Sequence, residues 1–343
     1  MSATAFLTWD SQRPSGGNTY NAELIGALRA AGEEVEVYRV PGSWPAPQAA
    51  ARERAAQILN RGAVAIVDGI VASGVPEAID QAVDAGRRVV VLAHMAAADE
   101  HGLSEAERAR REDREGRAFR AASAVVATSK TAARDLERRH RLTQVHVALP
   151  GMRAQPPAAG SDPPRILAVG AVTPTKDHRT LLRALSHLSE LHWSARIVGS
   201  DDLDPALTGE LAAMIRHEGW SDRVRLTGAL TGEPLEVQWC AADLLVLPSR
   251  HETYGLVVLE ALAHGIPAVV TDTGAAEALA VGGPGRPLPG VVVPVGDASA
   301  LADRLRAWAS ADGLRTAWRR RAGAVREMLP SWEQTARSVR RII

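Results

Sequence analysis

The 343 residues carry 40 basic and 40 acidic side chains, a formal net charge of zero, with 46% apolar and 23% charged residues. That balance describes a globular chain able to fill two ordinary domains, and it excludes a global basic footprint for nucleic acid. Cys240 is the one cysteine, so no intramolecular disulfide is possible. With no apolar run of about 18 residues and no charged-then-apolar leader pattern, the expectation is a cytoplasmic protein. Arginines gathered at 315–326 make contact with a lipid surface a minor alternative.

Short apolar runs alternate with helical patterns throughout, which implies parallel α/β architecture. In the first half, strands are expected at 5–9, 34–40, 63–68, 88–94, 124–129 and 144–149, with helices such as 19–31 and the charged 104–122 between them. Residues 152–164 contain four prolines and read as an interdomain linker. A second series of strands follows at 165–171, 195–200, 223–228, 244–248, 268–272 and 291–294, and 327–343 reads as a final helix. Two such series predict two Rossmann-like domains, 1–151 and 165–326, with ligands beyond the carboxyl ends of the strands and a cleft between the sheets as the default site.

The first strand opens a loop that contains Gly16 and Gly17 before a helix. Adjacent glycines at a helix N-terminus let backbone N–H groups approach a phosphate, although on their own a plain turn is the better reading. This is not the Gly-x-Gly-x-x-Gly dinucleotide pattern, which weighs against a dehydrogenase. His94 closes the fourth strand, where it would face a strand-end site; a structural histidine is the other reading. No His-Glu-x-x-His or Cys/His spacing occurs, so no transition-metal site is expected.

Only two lysines occur, and one of them, Lys176, lies in the loop after the first strand of the second series. A compact ammonium there suits a phosphate, although in isolation a solvated loop lysine is the better reading. Asp201, Asp202 and Asp204 follow a later strand. They fit a helix N-terminus before Pro205 better than a metal on a nucleotide diphosphate.

The most informative block runs from Ser249 through Glu252, Tyr254, Gly255 and Leu256 to Glu260, and on to Gly265 and Pro267. It reads as strand, loop and a very apolar helix that stops at Gly265. A carboxylate inside such a helix is costly unless something donates to it. A ribose or sugar hydroxyl pair would do so, and so would a nearby arginine.

Taken in order, these segments resemble glycosyltransferase family 4, retaining enzymes of the GT-B fold. The resemblance rests on Gly16-Gly17, His94, 124–129, 150–152, Gly170 through Lys176, 227–230, Asp243 through Ser249, the block from Glu252 to Pro267, and 271–274. It implies two Rossmann-like domains with parallel sheets facing across a deep cleft, and a C-terminal helix (327–343) that packs back on the first domain. It also implies roles for single residues. Glu252 and His94 would meet the transferred sugar, and Lys176 the leaving diphosphate. Glu260 would bind the ribose, and Tyr254, Gly255 and Leu256 would offer backbone N–H groups. Gly16 and Gly17 would touch the phosphate from the opposite domain, while Gly199, Thr227, Gly228 and Leu230 would line the base pocket. The family often places an arginine where this chain has Ala171, and a glycine where it has Asp177. Arg179 or Arg13 could compensate for the missing clamp.

The expected activity is therefore sugar transfer from a nucleotide-diphosphate sugar, with a UDP-sugar as the default, to a hydroxyl acceptor, without metal or cofactor. The alternatives are a sugar-nucleotide epimerase or phosphorylase on the same fold, and a non-catalytic sugar-nucleotide-binding protein.

Overall fold

Valine, isoleucine and leucine fill the strands because each sheet is buried on both faces, where branched side chains pack well against the pleat. The computed structural model describes residues 3–11, 15–100 and 102–343. It divides into two units, one formed by Met1–Gly151 with Pro330–Ile343 and the other by Met152–Leu329.

The first unit contains β1 (Thr4–Trp9), β2 (Val35–Val40), β3 (Val64–Asp68), β4 (Arg88–Ala93), β5 (Ala124–Ala127) and β6 (His146–Val147). Their order is β2-β1-β3-β4-β5-β6, and every pairing is parallel. The second contains β7 (Arg165–Val169), β8 (Ser194–Val198), β9 (Val224–Leu226), β10 (Leu244–Leu247), β11 (Ala268–Thr271) and β12 (Gly290–Val293). Its order is β12-β11-β10-β7-β8-β9, again all parallel. Strand order reverses between β1 and β3 in one sheet and between β7 and β10 in the other, and such switch points open a crevice at the carboxyl strand ends.

Most expected strands are present with slightly trimmed ends. The last strand of the first sheet shrinks from 144–149 to His146–Val147, because the Val145 N–H turns to the Glu137 carboxylate at 2.9 Å instead of a neighbouring strand. The first helix begins three residues earlier than the apolar pattern indicates, at Gly16, because Ser15 caps it by accepting the Asn18 N–H at 3.1 Å.

Alternate strand residues feed opposite faces of the first sheet. Leu7, Val67 and Val91 pack with Phe119 and Leu136 on one face. Phe6, Ile66 and Val90 pack on the other with Leu24, Leu28, Trp332, Ala336 and Val339. The helix Trp332–Arg340 thus completes the first unit. A capping box of Ser331 and Gln334 starts it, and Thr335 donates to the Leu149 carbonyl at 2.7 Å. Trp332 meets Tyr20 edge-on at 5.3 Å.

The proline-bearing stretch 152–164 is hydrogen-bonded along the second unit. Ala158 N donates to His264 O at 2.8 Å, Ala159 N to Cys240 O at 2.9 Å, and Arg326 reaches the Gln155 carbonyl at 2.5 Å. The buried His264 stacks on Trp239 and meets Pro156 O at 3.0 Å.

Candidate active site

In the second unit the switch point joins two loops distant in sequence. The loop after β7 holds Gly170 and Lys176 and ends at Asp177, whose left-handed backbone (φ +48°) lets it cap the helix His178–Ser186. Its carboxylate accepts from Thr180 Oγ1 at 2.8 Å and from Arg250 Nε at 3.0 Å. Arg250 N in turn donates to Thr175 O at 2.7 Å, so the loop after β10 is tied to the loop after β7.

This tie sets Lys176 Nζ 2.5 Å from Glu252 Oε1. Ser249 Oγ, on a fully buried residue, donates to the same oxygen at 2.7 Å. Thr271 Oγ1 fixes Ser249 through its carbonyl at 2.5 Å. Gly274 N donates to Glu252 O at 2.9 Å, and a Cβ on Gly274 would lie 2.3 and 2.4 Å from the carbonyl oxygens of Thr253 and Glu252. Glycine is thus required where the backbone of the Glu252 loop comes closest. The Lys176 stem runs over Gly170, and a Cβ on Gly199 would lie only 2.1 Å from Gly170 O, so β7 and β8 loops touch backbone to backbone. The buried His178 Nε2 meets Gly170 O at 3.1 Å, and burial lowers its pKa to about 4, keeping the imidazole neutral beside Lys176.

The helix Leu256–Ala263 starts at Gly255, in the left-handed region at φ +78°. It ends in a Schellman motif, with Ile266 N on Ala261 O at 2.8 Å and Gly265 N on Leu262 O at 2.9 Å. The helix N-terminus, with its partial positive charge, therefore lies next in sequence to the Lys176–Glu252 pair. Inside the helix, burial raises the Glu260 pKa to about 7, and among the described residues the carboxylate has no hydrogen-bond or ion-pair partner. Tyr254 is buried, and desolvation pushes its phenol well above the usual range.

Gly199, Thr227 and Gly228 adjoin one another: Gly199 N and Thr227 Oγ1 donate to Gly228 O at 3.0 and 2.9 Å. Leu230, two residues on, is half-buried. Asp204 caps the helix Pro205–His217 through Leu207 N at 3.0 Å, and Asp202 accepts from Ser200 Oγ. Among the described residues no group of three or more His, Cys, Asp or Glu could hold a metal ion. Arg179 is engaged by the Glu210 carboxylate, with Nε 2.6 Å from Oε1. Arg13 lies outside the described residues.

In the first unit, His94 follows β4 and lies against the N-terminal turn of helix Gly16–Ala30. A Cβ on Gly17 would approach His94 Cδ2 at 3.2 Å, whereas a Cβ on Gly16 would meet no atom of the described residues within 4 Å. His94 Nε2 meets Asn21 Oδ1 at 2.8 Å. Asn21 Nδ2 reaches Asp68 Oδ2 at 2.6 Å and Thr8 Oγ1 at 3.3 Å. Burial lowers the His94 pKa, while the Asp68 carboxylate raises it in part. Thr8 and Asp68 stand at the ends of β1 and β3, so this polar cluster occupies the switch point of the first sheet. Sequence reasoning named His94 and missed Thr8, Asn21 and Asp68; it placed Ser249 and Gly274 within motifs but gave neither a role. One available signal was a polar residue closing an apolar run, as Asp68 does after Val64–Asp68 begins.

Two parallel sheets with these strand orders define a GT-B fold, and residues 163–310 match the family described as glycosyl transferases group 1. The chain is 31% identical over 217 residues to D-inositol 3-phosphate glycosyltransferase of Xylanimonas cellulosilytica, covering 57% of this chain and 50% of that protein. It is 35% identical over 115 residues to mannosylfructose-phosphate synthase of Agrobacterium fabrum, covering 32% of this chain and 25% of the relative. The chain thus spans a quarter to a half of the length of these curated relatives. Among solved structures, sucrose-phosphate synthase from Thermosynechococcus elongatus superposes with a TM-score of 0.79 at 20% identity, covering 100% of this chain and 98% of the other. Anabaena HepE in complex with UDP and glucose gives 0.74 at 16%, with 98% of each chain covered. These likenesses establish the fold.

Proposed function

We propose that this chain is a retaining glycosyltransferase that moves a sugar from a nucleotide-diphosphate sugar to a hydroxyl acceptor, without a metal ion and in the cytoplasm. The observation that carries the reading is the Lys176–Glu252 pair beside the helix that begins at Leu256. Cleavage of an anomeric C–O bond with a diphosphate leaving group needs charge stabilisation on that group more than it needs a strong base. Lys176 and the helix N-terminus at Gly255 meet that need. In the free protein the ammonium and the carboxylate satisfy each other. A diphosphate would draw Lys176 away and leave Glu252 to accept from the sugar hydroxyls, so one binding event would arm both groups.

In this reading Glu260 accepts from the ribose hydroxyls, and Gly199, Thr227, Gly228 and Leu230 receive the base. Tyr254, Gly255 and Leu256 contribute the backbone at the phosphate. The same reading gives His94 a role toward the sugar, and Gly16 and Gly17 a role toward phosphate. The acceptor oxygen bonds to the anomeric carbon on the face from which the diphosphate leaves, and the departing diphosphate oxygen takes the acceptor's proton. A uridine nucleotide is supported by the UDP held in the HepE structure.

Thermal shift with UDP-, GDP-, ADP- and TDP-sugars identifies the donor, because ligand binding stabilises the folded state. Proton NMR of the product, formed in the presence of EDTA, then reads the anomeric configuration. Product of inverted configuration, or loss of turnover in EDTA, overturns the respective part of the reading.

A further inference from the structure

The cluster at the first sheet's switch point has a directionality set by hydrogen-bond logic. Asp68 closes β3, and its Oδ1 accepts the Ile70 N–H at 3.1 Å as the cap of the short helix Gly69–Gly74. Its other oxygen, Oδ2, faces the Asn21 amide at 2.6 Å. A carboxylate oxygen only accepts, so the Asn21 group facing it must be the NH2; the flipped amide would set acceptor against acceptor. That choice aims Asn21 Oδ1 at His94 Nε2, 2.8 Å away. An amide oxygen also only accepts, so His94 Nε2 must carry a proton. Asn21 and Asp68 are only 3% and 6% exposed, which leaves water little room to break this order. Tyr20, edge-on to the His94 ring at 5.1 Å, and Gly17 hold the ring plane.

We propose that Asp68 and Asn21 act as a positioning relay that holds the His94 imidazole with its proton on Nε2, so that Nδ1 is presented as an acceptor to a hydroxyl group of the sugar substrate. Nδ1 has no hydrogen-bond partner among the described residues. In the neutral ring it offers a lone pair, and burial favours the neutral ring. His94 thereby recognises a hydroxyl and does not serve as a cation for the diphosphate. The assignment to sugar rests on the glycosyltransferase reading; the relay itself does not.

The isosteric change Asp68→Asn inverts the logic. Ile70 N–H still requires an acceptor, so the new amide keeps its oxygen there and turns its NH2 toward Asn21. Asn21 then flips, presents NH2 to His94 Nε2, and drives the ring proton to Nδ1. Thr8 adapts, because a hydroxyl both donates and accepts. Long-range proton–nitrogen NMR on the full chain reads the tautomer, with the His94 signals identified by their loss in His94→Gln. The expected result is an Nε2-protonated ring in the native chain, an Nδ1-protonated ring in Asp68→Asn, and a mixture in Asn21→Leu.

Turnover of a UDP-sugar should fall about tenfold or more in kcat/KM for Asp68→Asn, with UDP affinity held within about twofold. A native ring protonated on Nδ1, or a tautomer unchanged by both substitutions, overturns the relay. A tautomer that inverts with turnover intact overturns the role of Nδ1 toward the hydroxyl. If no nucleotide sugar is turned over by the native chain, the functional reading fails, and the NMR result still decides the relay.

Discussion

Glu260 offers the sharpest quantitative test. Its carboxyl has an ordinary value of 4.5 and is raised by burial to about 7 in the folded chain. The sign follows from linkage. Below 4.5 both folded and unfolded states hold the proton and the group has no effect on stability. Between 4.5 and 7 the unfolded chain releases the proton first, so stability falls as pH rises. Above 7 the full penalty, about 3 kcal/mol, is in place, and about 2 kcal/mol of it develops between roughly pH 5.5 and 8.5.

Glu260→Gln removes the titration and preserves the shape. Urea unfolding of the transition that nucleotide addition shifts should show the variant gaining about 2 kcal/mol on the native chain between those two pH values. In the same protein, ribose hydroxyls would favour the charged carboxylate. Nucleotide affinity should therefore rise by up to about tenfold per pH unit toward neutrality and level off above it, while the variant binds weakly with no such slope. A stability difference that does not change with pH, or equal nucleotide affinity in the two proteins, would refute the reasoning.

Three further outcomes are expected. Lys176→Ala and Glu252→Gln should each lower kcat by about 10²–10³, with melting temperatures near that of the native chain; near-normal turnover of either would remove its site assignment. Gly274→Ala, whose new Cβ would lie 2.3 Å from Thr253 O, should push the Glu252 loop aside, with a loss of about 1–3 kcal/mol in denaturant unfolding. An unaltered midpoint and unaltered turnover would show that the loop yields at no cost. Trp332→Ala should cost about 3–5 kcal/mol, because the indole fills the face shared with Tyr20 and Leu24. A loss below about 1 kcal/mol would mean that helix Trp332–Arg340 is held by its cap and backbone bonds alone.

The strands were legible because each is a nearly continuous apolar run between polar loops, as in 88–94 and 244–248. The helix Leu256–Ala263 was legible because Gly265 and Pro267 punctuate it. The pairing of Lys176 with Glu252 was not, since 76 positions separate them and only the reversal of strand order between β7 and β10 joins their loops. Nor was the neighbourhood of His94. Thr8, Asn21 and Asp68 come from two strands and a helix, and no local spacing connects them. Arg179 looked available in a one-dimensional reading, but a glutamate one helix away, Glu210, occupies it. The proline count at 152–164 pointed to an interdomain linker, and it carried no information about the backbone bonds that fasten this path to His264 and Cys240 within the second unit.

The first unit is assembled from two separate stretches of chain, whereas the second is one uninterrupted stretch. During synthesis the sheet β1–β6 emerges long before Trp332, Ala336 and Val339, which cover Phe6, Leu24 and Val90. That apolar face must wait, covered only in part by helix Gly16–Ala30, while the whole second unit leaves the ribosome. The second unit can close its own core in the meantime. The order of maturation is therefore the reverse of the order of translation: the part made first is finished last, and a nascent chain halted before Ser331 would display an incomplete core to whatever holds newly made proteins in solution.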